Sequence, residues 1–439
     1  MRSIRYRVGV AERPAQPSAA CLEQLRECLG GSLPDQGLSS GEVLALLDEA
    51  GSPATVGNTG GRYFGFVLGG SFPISVAANW LATAWDQNAA LVQMSPVAAH
   101  LDGLALSWMR QALRLPDNAV GGLVTGATAA NIIALAAART HLLARKGWDV
   151  EAKGLFGAPE LRVVAGADVH DSIRKALMVL GLGRDRLTIV PSDSEGRLRV
   201  DELPPLDDRT IVCLQAGHVH TGAIDPVGEV ARVAAGTGAW LHVDGAFGLW
   251  ARAAPTLERW TDGLELADSW ATDAHKWLNV PYDSGAVFTI HDHAIRTAMA
   301  AWSPLLQAER QPAAYTLEQS RRARGVDVWA TLAHLGREGL ARLVEQSCAA
   351  ARDLALGLRS AGWAVPHDVV LNQVLVSFGS DARTERVLAE VNAEGVIGCT
   401  GALWKGQRYL RLSVSSWRTQ AADVQAALAA ITRAVERSG

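Results

Sequence analysis

Cysteine is scarce in this chain. There are five in 439 residues (Cys21, Cys28, Cys213, Cys348 and Cys399), an odd number, widely scattered and without metal-ligand spacing. That pattern argues against a disulfide framework and suits reduced thiols in a cytosol. Charge of one sign is also lacking. The formal net charge is -4 with both signs interspersed, so neither a basic patch for nucleic acid nor an acidic solvating tail is present. No apolar signal core follows the basic residues 1–7, and no run reads as long and apolar enough to span a bilayer. Repeats, low-complexity tracts and long linkers are missing. Tyrosine is rare, five against fourteen tryptophans, a bias that packing accounts for as readily as an aromatic ligand does. What these absences leave is a soluble, cytoplasmic protein, long enough for one large domain and a smaller one.

Periodicity divides the chain into residues 1–75, helical and peripheral; 76–327, a large domain; and 328–439, a smaller α+β domain. The first part ends in Gly60-Gly61-Arg62-Tyr63-Phe64-Gly65-Phe66, where glycines bracket aromatics. This reads either as a pocket-lining loop or as an aromatic plug under a turn. From Val120 onward apolar strands alternate with helical segments, which predicts a doubly wound, mostly parallel sheet. Strands are expected at Val120–Val124, Leu161–Ala165, Leu187–Pro191, Thr210–Leu214, Trp240–Asp244 and Gly285–Ile290. In the last domain they are expected at Val369–Val376 and Tyr409–Val414, with a closing helix over Ala421–Val435.

Two stretches carry chemistry. In Ser269-Trp270-Ala271-Thr272-Asp273-Ala274-His275-Lys276-Trp277 an apolar run ends in a polar knot holding one lysine. Desolvation there disfavours the ammonium, and a neutral amine is a nucleophile toward aldehydes. In Trp240-Leu241-His242-Val243-Asp244-Gly245-Ala246-Phe247-Gly248 a buried strand ends on an aspartate and turns on glycines, at the sheet edge where α/β folds bind ligands. Pyridoxal 5'-phosphate (PLP) needs both groups: a lysine for its aldehyde and an acid facing its pyridine nitrogen. It also needs a phosphate cradle. The small-residue turn Thr125–Asn131, ahead of a helix over Ile132–Leu143, supplies free amides and a positive dipole end. It is not a P-loop, because the lysine of that motif is missing. His170 stands at a strand-to-helix junction, placed to stack on a ring, to bind substrate, or simply to bond a backbone group. His218-Val219-His220 lacks a third ligand at usable spacing, so no metal is expected.

The set Thr125–Asn131, His170, Asp244–Gly248 and Asp273-Ala274-His275-Lys276-Trp277 resembles the group II PLP-dependent amino acid decarboxylases, from about Gly60 to the C-terminus. The His-Lys-Trp stretch is the most specific part. The resemblance implies the fold-type-I, aspartate aminotransferase-like architecture, a homodimer and an L-amino acid substrate, aromatic or hydrophobic, converted to its amine and CO2. It implies Lys276 as the Schiff-base lysine, Asp244 on the ring nitrogen, and His170 and Ala246 on opposite ring faces. Gly126, Ala127, Thr128 and His275 would hold the phosphate, and Phe66 and Asn88 would line the substrate pocket. Arg411 reads as structural rather than as a carboxylate clamp. One departure stands out. The relatives' mobile loop carries a proton-donating tyrosine, whereas His291–Gln319 here contains only Tyr315, which reads as a packing residue. The alternatives are therefore another Cα reaction (aldehyde-forming oxidative decarboxylation, transamination or aldol cleavage) and a non-catalytic binding protein.

Overall fold

In the computed structural model, which describes residues 2–300 and 310–439, the chain divides into two units. The larger comprises Ser71–Ala349 with His367–Gln373. The smaller comprises Met1–Gly70, Ala350–Pro366 and Val374–Gly439. This differs from the division at 75 and 327 expected from the sequence. The N-terminal segment belongs with the C-terminal one because its backbone joins that unit: Phe64 N–H donates to Gly398 and Ser413 N–H donates to Phe64. The second boundary falls inside the helix Arg324–Ser360 rather than at its start.

The larger unit is built on a seven-stranded sheet: β1 (Val120–Val124), β2 (Arg162–Gly166), β3 (Leu187–Val190), β4 (Thr210–Gln215), β5 (Trp240–Asp244), β6 (Ser269–Asp273) and β7 (Gly285–Thr289). Their spatial order is β1-β7-β6-β5-β4-β2-β3. The neighbours from β6 through β5, β4 and β2 to β3 are all parallel. β7 runs antiparallel to both β6 and β1, since the short connection from Asp273 to Gly285 cannot make the crossover a parallel partner requires. β5 and β6 are buried throughout, as strands covered on both faces must be.

The helix Ala127–Ala144 begins five residues before the expected Ile132, because alanine and threonine are as compatible with helix as with a turn. It is the one described helix long and apolar enough to cross a membrane by composition, a correction to the sequence reading, and it is mostly buried in the fold. Ile133, Leu135, Leu142 and Leu143 on it are fully buried, each stabilising by roughly 1.5–3 kcal/mol over exposure. Small alanines between them let the helix lie close on β5, β6 and β7.

The smaller unit holds the sheet β8 (Gln373–Val376), β9 (Thr400–Trp404) and β10 (Gln407–Ser413), in the order β8-β10-β9, and the helices Asp381–Glu394 and Ala421–Arg437. β9 escapes sequence reading because only alternate residues face inward. Tyr63 and Phe64 are buried while Phe66 is exposed at positive φ, so the glycine-bracketed stretch serves partly as a plug. Arg411 is buried on β10, and burial pushes its guanidinium below the ordinary range.

Candidate active site

The carboxyl ends of β5 and β6 lie side by side, with Asp244 in register with Ala271 and the Asp273 N–H donating to Ala246 O at 2.8 Å. Asp244 is buried. Its Oδ2 accepts from the Asn131 amide (2.9 Å) and the Ser172 hydroxyl (3.1 Å), and its Oδ1 from the Ala246 N–H (3.2 Å). Three donors around two oxygens suit an ionised, all-acceptor carboxylate. The turn that follows β5 is tight: a Cβ at Gly248 would meet Ala216 O at 2.3 Å.

Behind Asp244 runs a buried chain of hydrogen bonds. Trp240 Nε1–H donates to Ser269 Oγ (2.9 Å), which faces His242 Nδ1 (2.9 Å), and His242 Nε2 faces Asn131 Oδ1 (2.9 Å). An indole N–H only donates and a carboxylate only accepts, so every hydrogen in the chain points toward Asp244 and His242 carries its proton on Nε2. Burial pushes His242 down to about 4, which keeps the ring neutral at neutral pH. Unfolded, the same ring would titrate near 6.5. The unfolded chain therefore binds the extra proton between these values, and stability is full above that window and falls as pH falls through it. Asp225, pushed up to about 6 by burial, has the opposite slope, so the contribution is isolated by difference. Between pH 7.5 and 5 the wild type is expected to lose on the order of 2 kcal/mol more than H242Q in urea unfolding. Parallel losses in the two proteins would show that His242 is not the group responsible.

His170 caps the helix Asp171–Val179. Its Nδ1 accepts the Ser172 N–H (3.2 Å) and lies 2.8 Å from Ser172 Oγ. The bonding role that the sequence allowed for this histidine is thus realised, and its ring is exposed.

At the other end of the site the first turn of Ala127–Ala144 opens beside His275. A Cβ at Gly126 would stand 3.1 Å from His275 Cε1, so glycine lets the imidazole close in. His275 Nδ1 accepts the Ser284 N–H (3.1 Å), which leaves Nε2 as the donor, and burial pushes the ring below its ordinary value. The first intrahelical donor is the Ala130 N–H (3.0 Å to Gly126 O), so the amides ahead of it are the ones free to bind an anion. The Ala127 N–H, however, goes to Asp273 Oδ1 at 2.6 Å. Lys276 sits in a turn closed by Asn279 at positive φ, whose amide donates to Trp277 O at 2.8 Å. The expected desolvated lysine has a counter-ion: its Nζ is 3.0 Å from Asp273 Oδ2, and only 22% of its side chain is exposed. Tyr282 lays an exposed ring on His275, with centroids 4.3 Å apart.

Gly126, Ala127, Thr128, His170, Asp244, Ala246, His275 and Lys276 all belong to the larger unit, and hydrogen bonds from the helix Ala127–Ala144 reach both Asp273 and Asp244. Phe66 belongs to the smaller unit. The Asn88 amide is taken by Ser320 Oγ (3.3 Å) and by the Ala90 (3.1 Å) and Arg321 (3.2 Å) N–H groups. Tyr315 is buried, donates to Asp292 (2.7 Å) and is covered by Arg310; the preceding residues 301–309 lie outside the described part. His218 Nδ1 accepts the His220 and Thr221 N–H groups, so this ring organises its own turn. Sequence reading missed Asn131 as a partner of Asp244, and also Ser172, His242 and Asp273. For Asn131 the signal was a lone amide inside an apolar helical run.

The model of the pyridoxal-dependent decarboxylase conserved domain matches residues 60–378. The chain belongs to this family. It is by class a PLP-dependent carboxy-lyase acting on an amino acid, and PLP is its cofactor. Tryptophan decarboxylase 1 of Oryza sativa subsp. japonica is 27% identical over 366 residues, covering 76% of this chain and 70% of that protein. L-2,4-diaminobutyrate decarboxylase of Rhizobium meliloti is 31% identical, covering 62% of this chain and 56% of that protein. Among solved structures, rice TDC with PLP and tryptamine superposes with a TM-score of 0.89 at 22% identity over 99% of this chain and 95% of that one. Rhodiola rosea 4-hydroxyphenylacetaldehyde synthase gives 0.88 at 21% over 99% and 96%. At these identities the structures establish the fold-type-I architecture.

The site fits the cofactor. Asn131, bonded to Asp244, lies one helical turn beyond Ala127, about 6 Å along the axis, the scale of a ring carrying a phosphate arm. A buried carboxylate stands at one end, and at the other a glycine-cleared cradle with an imidazole donor, with the lysine on the adjoining turn. Asp244 would hold the ring nitrogen's proton, Lys276 the aldehyde carbon, and the helix start with His275 the phosphate.

Proposed function

We propose that the chain removes the carboxylate of an L-amino acid with an aromatic or hydrophobic side chain, with Lys276 as the cofactor lysine, giving the amine and CO2. The observation that carries this reading is Asp244, held as a carboxylate by three donors at the end of β5. When bound, PLP supplies an electron-withdrawing ring that accepts the electron pair left at Cα when the bond to the carboxylate breaks. The chain's own part is to choose that bond and then to return a proton. Asp244 keeps the ring nitrogen protonated. His170, exposed at the start of the helix Asp171–Val179 and held there by Ser172, which also bonds Asp244, is the donor we assign to Cα. The exposed Tyr282 ring beside His275 and the likeness to tryptophan decarboxylase 1 support a flat apolar side chain.

A second reading, oxygen-dependent conversion to an aldehyde, draws support from Tyr315, whose hydroxyl is committed to Asp292. The PLP-loaded protein should be offered L-tryptophan, L-phenylalanine, L-aspartate and L-2,4-diaminobutyrate. Amine and CO2 without oxygen uptake, fastest from the aromatic pair, are the expected products. Preference for aspartate or diaminobutyrate overturns the side-chain assignment, and aldehyde with oxygen uptake overturns simple decarboxylation.

A further inference from the structure

A single oxygen touches both His170 and Asp244. Ser172 is buried at the second position of the helix Asp171–Val179. Its Oγ stands 2.8 Å from His170 Nδ1 and 3.1 Å from Asp244 Oδ2, and it accepts the Asn131 amide at 3.0 Å. The Ser172 N–H also points at His170 Nδ1, at 3.2 Å. Asn131 is itself fixed, with its oxygen facing His242 Nε2 and its amide also donating to Asp244. A hydroxyl has one hydrogen and two lone pairs. Asn131 takes one lone pair, which leaves the hydrogen and the other lone pair for Asp244 and His170. A carboxylate only accepts, so a hydroxyl hydrogen given to Asp244 leaves a lone pair for a hydrogen on His170 Nδ1. An Nδ1 without hydrogen takes the Ser172 N–H instead. A ring carrying hydrogens on both nitrogens cannot accept at all, and its anchor at Nδ1 is then Ser172 Oγ.

We propose that Ser172 is a positioning residue for the proton donor: its hydroxyl ties the protonated His170 ring to Asp244 and so aims the hydrogen on the other ring nitrogen at Cα. The proposal rests on His170 being that donor. In the step itself the Nε2–H bond breaks, and the electron pair left at Cα by departing CO2 forms the new C–H bond. The ring keeps the hydrogen that faces Ser172 Oγ, and solvent returns the proton it gave. A ring without this anchor delivers its proton less reliably. When the proton reaches the former aldehyde carbon of PLP instead, one water releases the substrate skeleton as an aldehyde. The amino nitrogen then stays on the cofactor, and no oxidant is consumed.

The test compares PLP-loaded wild type, S172A, S172T and H170Q on the amino acid that the wild type turns over fastest, in the absence of oxygen. S172A is expected to capture PLP as the wild type does and to keep its KM. Its kcat should fall about 10-fold, and cofactor should be lost to the aminated form about 10-fold more often per amine produced, the effect of one hydrogen bond to a charged group. S172T, which keeps the hydroxyl, is expected to restore both. A second readout needs no turnover. In NMR spectra of the loaded protein, with histidine isotope-labelled at Cε1, the His170 signal is the one missing in H170Q. D244N is expected to shift that signal when Ser172 is present and to leave it in place in the S172A background. An unchanged ratio of amine to aminated cofactor in S172A overturns the proposal, and so does a D244N shift that persists in full without the hydroxyl. Wild-type amine yield from H170Q would instead overturn the assignment of His170 as donor. Should S172A fail to fold, S172C takes its place with the same expectations, since a thiol is only a weak donor.

Discussion

K276A is expected to lose the visible absorbance that PLP shows on the wild-type protein, and turnover is expected to fall by on the order of 10³-fold or more. Among the described residues the lysine nitrogen that pairs with Asp273 belongs to Lys276, and an alanine methyl cannot hold an aldehyde. The change also leaves Asp273 without a counter-ion, though still bonded to the Ala127 N–H. Because the lysine is partly exposed, that loss is expected to cost only about 1–3 kcal/mol, less than breaking a fully buried pair. K276A should therefore fold, and PLP should still dock through its phosphate with weakened affinity. Absorbance spectra and borohydride trapping of the wild type and K276A, with peptide mapping, check this. A trapped adduct on another lysine would refute the assignment.

D244N is the second large effect. Capture of PLP by Lys276 should persist, because nothing at the aldehyde end changes, while turnover should fall by on the order of 10²–10³-fold. A carboxamide cannot balance a protonated ring nitrogen, so the electron pair left at Cα is no longer drawn away. The hydrogen-bond geometry adds a second cost. Asn131, Ser172 and Ala246 all donate toward residue 244, so an amide NH₂ there faces donors. Either one bond is lost, at about 1–3 kcal/mol for a buried group left unsatisfied, or Asn131 turns over and disturbs its bond to His242. Capture kinetics, turnover and urea unfolding of D244N separate these effects. Wild-type turnover in a protein that still captures PLP would remove Asp244 from its role.

Both residues were legible in the amino-acid order for one physical reason. A strand covered on both faces shows apolar residues without strict in-out alternation, and an acid at its end marks the edge where a ligand is reached. Trp240–Asp244 and Ser269–Asp273 are such strands, which made Asp244 and Lys276 visible, and the alternation of strands and helices announced the architecture. The partners of those residues were not legible, because hydrogen bonds act through space. Asn131 meets Asp244 across 113 positions of sequence and Ser172 across 41, and only the sheet order brings them together. The same holds for the relay from Trp240 through Ser269 and His242, whose members read as ordinary strand residues. The reversed direction of β7 and the union of the N-terminal segment with the C-terminal unit were likewise decided by packing. So was the counter-ion of Lys276. Asp273 stands three positions away in the sequence, yet its reach to both the lysine and the Ala127 amide exists only once β6 ends against the start of the helix Ala127–Ala144.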